Sequence, residues 1–147
     1  MIKAFDNAAR LLARREHGAQ ELIHKLMQKG YTREEADDAL AKCQHLGLQN
    51  EKRFIEAVLN LRMRQGYGPQ KIKQELQSKQ VDSELLDDLL LDEEMDWLGC
   101  ALKVWYKKNK DIELDFVQLQ KMKRFLLYRG FPSDIIQQVV CEVKPTS

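Results

Sequence analysis

Apolar positions along this chain fall three and four residues apart, the spacing that gathers one face of an α-helix. Phe5, Ala8, Ala9, Leu12 and Ala13 mark a first helix over about Ala4 to Glu16, stopped by His17 and Gly18. Leu22, Ile23, Leu26 and Met27 mark a second over about Ala19 to Lys29. Gly30 follows, and glycine accepts the left-handed conformation that often ends a helix. With Gly30 there, Tyr31 can fold back on Leu26. Thr32-Arg33-Glu34-Glu35 fits a capping box, in which hydroxyl and carboxylate satisfy each other's end groups. It opens a third helix carrying Ala36, Ala39, Leu40 and Cys43.

The pattern then returns in register. Leu22-Ile23-His24-Lys25-Leu26 stands fifty positions before Ile72-Lys73-Gln74-Glu75-Leu76, which stands fifty before Met122-Lys123-Arg124-Phe125-Leu126. Lys29/Lys79/Arg129, Gly30/Gln80/Gly130 and Tyr31/Val81/Phe131 keep the same spacing. A fixed period of this size marks a helical array, in which each unit buries one face against its neighbours. The expected fold is all-α: an elongated tandem array of three three-helix repeats at residues 1–50, 51–94 and 95–147. The second repeat opens near Glu51, with Phe54, Val58 and Leu61 on its first helix. Gly66-Tyr67-Gly68-Pro69 then breaks the chain, and Pro69 suits the first turn of the next helix. Asp82 takes the place of Thr32. The third repeat opens near Met95, and its first helix holds Trp97, Ala101, Val104 and Trp105. A longer loop is expected between Asn109 and Phe116. Pro132-Ser133-Asp134 should supply the last cap, shifted by one residue. No run of alternating β-branched residues predicts a strand.

Composition narrows the function. Hydrophobic residues make up 44% and charged residues 32%, which suits amphipathic helices with much exposed surface. There is no apolar run long enough to span a membrane. Met1-Ile2-Lys3-Ala4-Phe5-Asp6 is not a signal-peptide core, so the chain reads as cytoplasmic; a monomer is expected. The net charge is +1, but Asp82 to Asp96 holds eight acidic residues and no basic one. Residues 97–147 hold nine basic and five acidic. Segregation of this kind suits a partner with both signs of charge.

Enzyme chemistry finds little footing. His17, His24 and His45 share no metal-binding spacing with the cysteines, and no Cys-x-x-Cys pair occurs. Gly-x-Ser-x-Gly is absent, and Gly66-Tyr67-Gly68-Pro69 lacks the ending of a phosphate loop. No metal, cofactor or catalytic residue is expected. Cys43, Cys100 and Cys141 are an odd count without motif spacing and read as buried thiols.

The cations carry the binding hypothesis. Arg14 and Arg64 are one repeat apart; Arg15, Arg62, Lys71 and Lys73 cluster about the same two junctions, and Lys107 and Lys108 extend the set into the third repeat. Together they could track a phosphate backbone or an acidic protein face. Lys29, Lys79 and Arg129 are accounted for by the helix dipole, which favours a cation at a C-terminus. Trp105 and Tyr106 beside Lys107 offer a stacking platform for a single strand. The competing placement, one ring in the core and one half exposed, is the favoured one.

Arg14-Arg15-Glu16-His17, Glu21-Leu22, Lys25-Leu26 and Lys29-Gly30-Tyr31 together resemble the first repeat of the RecX family, regulators of the bacterial recombinase RecA. Gly47-Leu48-Gln49-Asn50-Glu51-Lys52-Arg53-Phe54 is similar to that family's linker. Gly66-Tyr67-Gly68-Pro69-Gln70-Lys71-Ile72, with Glu75-Leu76 and Lys79, resembles its most recognisable run. Gly18 stands where serine is common, Gln80 where glycine is usual, and Ile55 where a small residue is usual. The resemblance implies a role in recombination, DNA repair and the SOS response. It implies binding to the RecA filament on single-stranded DNA, with limitation of filament growth and inhibition of RecA's ATPase, strand-exchange and coprotease activities. A general helical DNA-binding protein that acts without RecA is the alternative.

Overall fold

The computed structural model describes residues 3–110 and 113–143, and among them it forms nine α-helices and no strand. They are α1 (Ala4–Arg14), α2 (Ala19–Gln28), α3 (Arg33–His45), α4 (Glu51–Arg64), α5 (Pro69–Ser78), α6 (Ser83–Leu90), α7 (Trp97–Asn109), α8 (Phe116–Tyr128) and α9 (Ser133–Val143). The all-helical expectation holds. None of these helices is long and apolar enough to cross a membrane.

Local chemistry sets the register. At the end of α2, α5 and α8 the chain turns left-handed, at Gly30 (φ 100°), Gln80 (φ 56°) and Gly130 (φ 103°). The next amide reaches back five residues in each case: Tyr31 N to Leu26 O at 3.3 Å, Val81 N to Leu76 O at 3.5 Å, Phe131 N to Leu126 O at 3.1 Å. Leu26, Leu76 and Leu126 are fully buried, and burying a leucine contributes about 1.5–3 kcal/mol. Each third helix then starts at the same register position. Thr32 Oγ1 accepts from Glu35 N at 3.1 Å, and Glu35 Oε1 returns the bond to Thr32 N at 2.9 Å. Asp82 Oδ1 accepts from Leu85 N at 2.9 Å. The third cap is not shifted: α9 begins at Ser133, with Pro132 O accepting from Ile136 N at 3.0 Å. Proline fits there because the first amides of a helix need no intrahelical acceptor.

The residues pack as two compact units. The first comprises the chain up to Val58 together with Leu76–Asp87; the second comprises Leu59–Glu75 and the chain from Asp88 onward. In the first, α1, α2 and α3 enclose Ala8, Leu22, Ile23, Leu26, Ala36, Ala39 and Cys43. Gly18 precedes α2 without a side chain to cap it. Glu51 supplies the missing acceptor, taking the Ala19 amide at 2.9 Å. A Cβ on Gly18 would lie 2.9 Å from the Phe54 ring, so a serine here would collide with the core.

In the second unit, α7, α8 and α9 enclose Ala101, Trp105, Leu119, Met122, Leu126, Phe131, Val139 and Val140. The Gly66–Pro69 turn docks on the turn after α8. Gly68 N donates to Arg129 O at 2.8 Å and Gln70 N to Gly130 O at 3.0 Å. A Cβ on Gly68 would stand 2.5 Å from the Gly130 carbonyl carbon and 2.6 Å from Phe131 N. These are backbone atoms and cannot step aside.

Two substitutions should move stability in opposite directions. Gly68→Ala forces two backbones apart and is expected to cost about 1–3 kcal/mol, as overpacking does. Gln80→Gly relieves a left-handed non-glycine residue and should stabilise by about 1 kcal/mol. Urea midpoints of the purified variants measure both. A Gly68→Ala protein as stable as the parent would mean that the two turns are not in contact.

Candidate functional site

The basic residues singled out in the sequence do not share one environment. In the first unit, Arg14 is the exposed last residue of α1. Arg15 is taken up by Glu21, with Nη1 to Oε1 at 3.1 Å and Nη2 to Oε2 at 2.7 Å. In the second unit, Arg62 is taken up in the same bidentate way by Glu75, with Nε and Nη2 each at 2.8 Å. Lys71 is half-buried and places Nζ over the Tyr128 ring at 4.5 Å. Lys73 is half-buried on α5. Arg64, Lys107 and Lys108 do come together, on one open cleft of ≈ 730 Å³.

That cleft lies wholly within the second unit and holds two further cations, Lys103 and Arg129. Helix α7 supplies Lys103, Lys107 and Lys108, the first two one turn apart; α4 supplies Arg64 as its last residue. Met63, Cys100, Val104 and Phe125 give the cleft an apolar floor, and Asp96 is its one carboxylate. Asp96 Oδ1 caps α7 by accepting from Gly99 N at 2.8 Å. Lys108 Nζ sits 3.5 Å from the centre of the Phe125 ring. Among the described residues, none of the five cations makes an ion pair.

Arg129 had looked like a helix-dipole residue. Its guanidinium instead leaves its own helix. Nη1 donates to Gln65 O at 3.1 Å, satisfying a carbonyl beyond the end of α4. The group stacks over Tyr67 at 4.7 Å and over Phe125 at 5.1 Å. The sequence signal for Lys103 was its place four residues before Lys107. Trp105 takes the core position, only 5% exposed, while Tyr106 is half exposed. Trp105 therefore offers no ring face to a base.

One register position explains why charge persists in this unit. Glu21 and Lys71 stand one repeat apart, as do Lys79 and Arg129. In the first unit Glu21 pairs with both Arg15 and Lys79, the latter at 3.7 Å. Burial pushes the Glu21 carboxyl up, but the Arg15 hydrogen bonds and the Lys79 and Arg15 charges outweigh it and hold it at about 2. In the second unit a lysine occupies that position, so Arg129 binds a carbonyl and two rings and keeps its charge uncompensated.

His17 is buried in the first unit, with Nδ1 3.1 Å from Arg15 O and Nε2 3.0 Å from Lys25 Nζ. An ammonium can only donate, so Nε2 is the acceptor and Nδ1 carries the proton. Burial lowers the His17 pKa, with the Arg15 and Lys25 charges acting the same way. Burial pushes the thiols of Cys43 and Cys100 up, away from the thiolate that a nucleophile needs. Cys141 is exposed, against the expectation of a buried thiol. No group of three His, Cys, Asp or Glu among the described residues is placed to hold a metal ion.

Glu21 gives a pH-dependent test of the first unit. Its folded pKa of about 2 lies below the ordinary 4.5. The stability it contributes is therefore present above pH 4.5 and is lost as the pH falls through about 2. His17 adds a loss below 6.5, because the unfolded imidazole takes up a proton first. Glu21→Gln should cost about 1–3 kcal/mol at neutral pH and flatten the profile in the Glu21 window. Urea titrations across that range measure it; an unchanged slope would remove Glu21 as the linked group.

Family models for the first, second and third three-helix domains of RecX match residues 4–43, 50–90 and 95–140. The chain is 48% identical over 145 residues to the regulatory protein RecX of Legionella pneumophila (strain Corby), covering 98% of this chain and 97% of that one. It is 40% identical over 134 residues to the regulatory protein RecX of Haemophilus influenzae (strain ATCC 51907 / DSM 11121 / KW20 / Rd), covering 89% and 88%. Among solved structures it is similar in fold to RecX from Lactobacillus salivarius, with a TM-score of 0.80 at 22% identity over 96% of this chain and 94% of that one. The three tandem domains and the full-length likeness to regulatory proteins converge on one assignment: the chain belongs to the RecX family.

Proposed function

We propose that this protein regulates the recombinase RecA by binding its filament on single-stranded DNA. In doing so it limits filament growth and inhibits the ATPase, strand-exchange and coprotease activities. Family membership supports the reading. The observation that carries it to particular residues is the cleft of the second unit, where five cations face one carboxylate. A filament presents DNA phosphate and protein surface over many subunits, and cations without ion pairs suit a target that carries negative charge. The first unit has spent Arg15 on Glu21 and is the poorer candidate for the contact. In this reading the chain acts as a cytoplasmic monomer, built of repeats at 1–50, 51–94 and 95–147. It needs no cofactor and performs no chemistry of its own, and its place is in recombination, DNA repair and the SOS response.

The test is RecA's ATPase on single-stranded DNA with the protein titrated in. Inhibition is expected at substoichiometric amounts, because blocking one growing end or one groove segment affects many subunits. Charge reversal of Arg64 and Lys107 together should raise the concentration for half-inhibition about tenfold, the equivalent of ~1.4 kcal/mol, with the melting temperature nearly unchanged. Inhibition that sets in only once the protein has saturated the DNA would favour the general DNA-binding reading, which also demands a steep loss of DNA affinity with salt.

A further inference from the structure

The cleft offers more than positive charge, and the combination selects a class of ligand. Its rim carries donors only: Arg64, Lys103, Lys107, Lys108 and Arg129. Its floor is apolar; of the two acceptor side chains beside them, Gln65 already takes Arg62 Nη1 at 2.8 Å, which leaves the Asp96 carboxylate. A phosphodiester strand complements the donors but not the rest. Its backbone has no N–H to give Asp96, and a like charge there is repulsive. Bases could use the floor by stacking on an aromatic face. Yet Phe125, the aromatic ring of this cleft, already has Lys108 at 3.5 Å and Arg129 at 5.1 Å over it. A peptide complements all three features. Its carboxylates meet the cations, its amides can donate to Asp96, and one large apolar side chain can cover the floor.

We propose that the cleft of the second unit binds an acidic protein segment anchored by one large apolar side chain. This rests on the reading of the cleft as the partner-binding site and makes the contact at this place protein rather than DNA. Asp96 sets the orientation by taking a peptide N–H, and Arg129 is held ready for a carboxylate by the Gln65 carbonyl and the Tyr67 ring.

The full chain is titrated into a fluorescein-labelled peptide of alternating aspartate and glutamate around one phenylalanine, with oligothymidylate as competitor. Anisotropy should report binding that weakens about tenfold when the phenylalanine is replaced by alanine. Lys103→Glu with Lys107→Glu should weaken it at least as much, while Lys52→Glu, on the exposed surface of the first unit, leaves it unchanged. Circular dichroism melts show whether the variants are folded. Displacement of the peptide by oligothymidylate, with indifference to the phenylalanine, would overturn the proposal in favour of nucleic acid. Loss of RecA inhibition in the Lys103/Lys107 variant while peptide binding is undetectable in the parent would also overturn it and leave the regulator reading intact. Peptide binding as described, by a protein without effect on RecA, would uphold the cleft and sink the regulator reading instead.

Discussion

The second unit depends on two backbones meeting with no side chain between them. Gly68 lies against the Gly130–Phe131 peptide, and the contact is closed by the amides of Gly68 and Gln70. Its consequences reach the cleft. Docking the Gly66–Pro69 turn on the end of α8 brings the Gln65 carbonyl within reach of Arg129 and sets Tyr67 beneath the guanidinium. It also presents Arg64 and Met63 beside α7. A methyl group at Gly68 would disturb that whole arrangement.

Most of the fold was legible because it rests on local signals. The three-and-four spacing located the helices, and Gly30 and Gly130 announced left-handed turns, which Gln80 shares only by its place in the repeat. Thr32 and Asp82 announced the next start. The expected shift at Pro132 was wrong because a capping side chain was sought to mark the start, whereas the Pro132 carbonyl already accepts the first intrahelical bond, from Ile136 N, and places the N-cap at Pro132. The fate of Gly18 was also hidden. The Ala19 amide beside it is capped by Glu51, 32 residues further along the sequence, and no local rule connects the two.

The cleft was half legible for a related reason. Arg64, Lys107 and Lys108 stood out as surface cations, but so did Arg15 and Arg62, whose acids lie 6 and 13 residues further along the chain. Which cations are spent and which remain is a property of pairing in space. Arg129 was missed because a helix-end cation already has a sufficient local explanation. Comparison of Glu21 with Lys71 does expose the difference, but only once it is known that Arg15 and Lys79 both converge on Glu21. Duplicated architecture with Arg15 and Glu21 exchanged for Gln65 and Lys71 thus yields an ion-paired junction in one unit and one without a carboxylate in the other.

Lys108 and Arg129 lie over aromatic rings before any ligand arrives. A long side chain free in solvent surrenders rotamer entropy on binding, about 0.5–1.5 kcal/mol for each one immobilised. Both residues have surrendered part of that freedom already in folding. An anion bound in the cleft would therefore meet a smaller ordering penalty than the same charges on a bare helix face would impose. That difference appears as a more favourable binding entropy rather than as an additional contact.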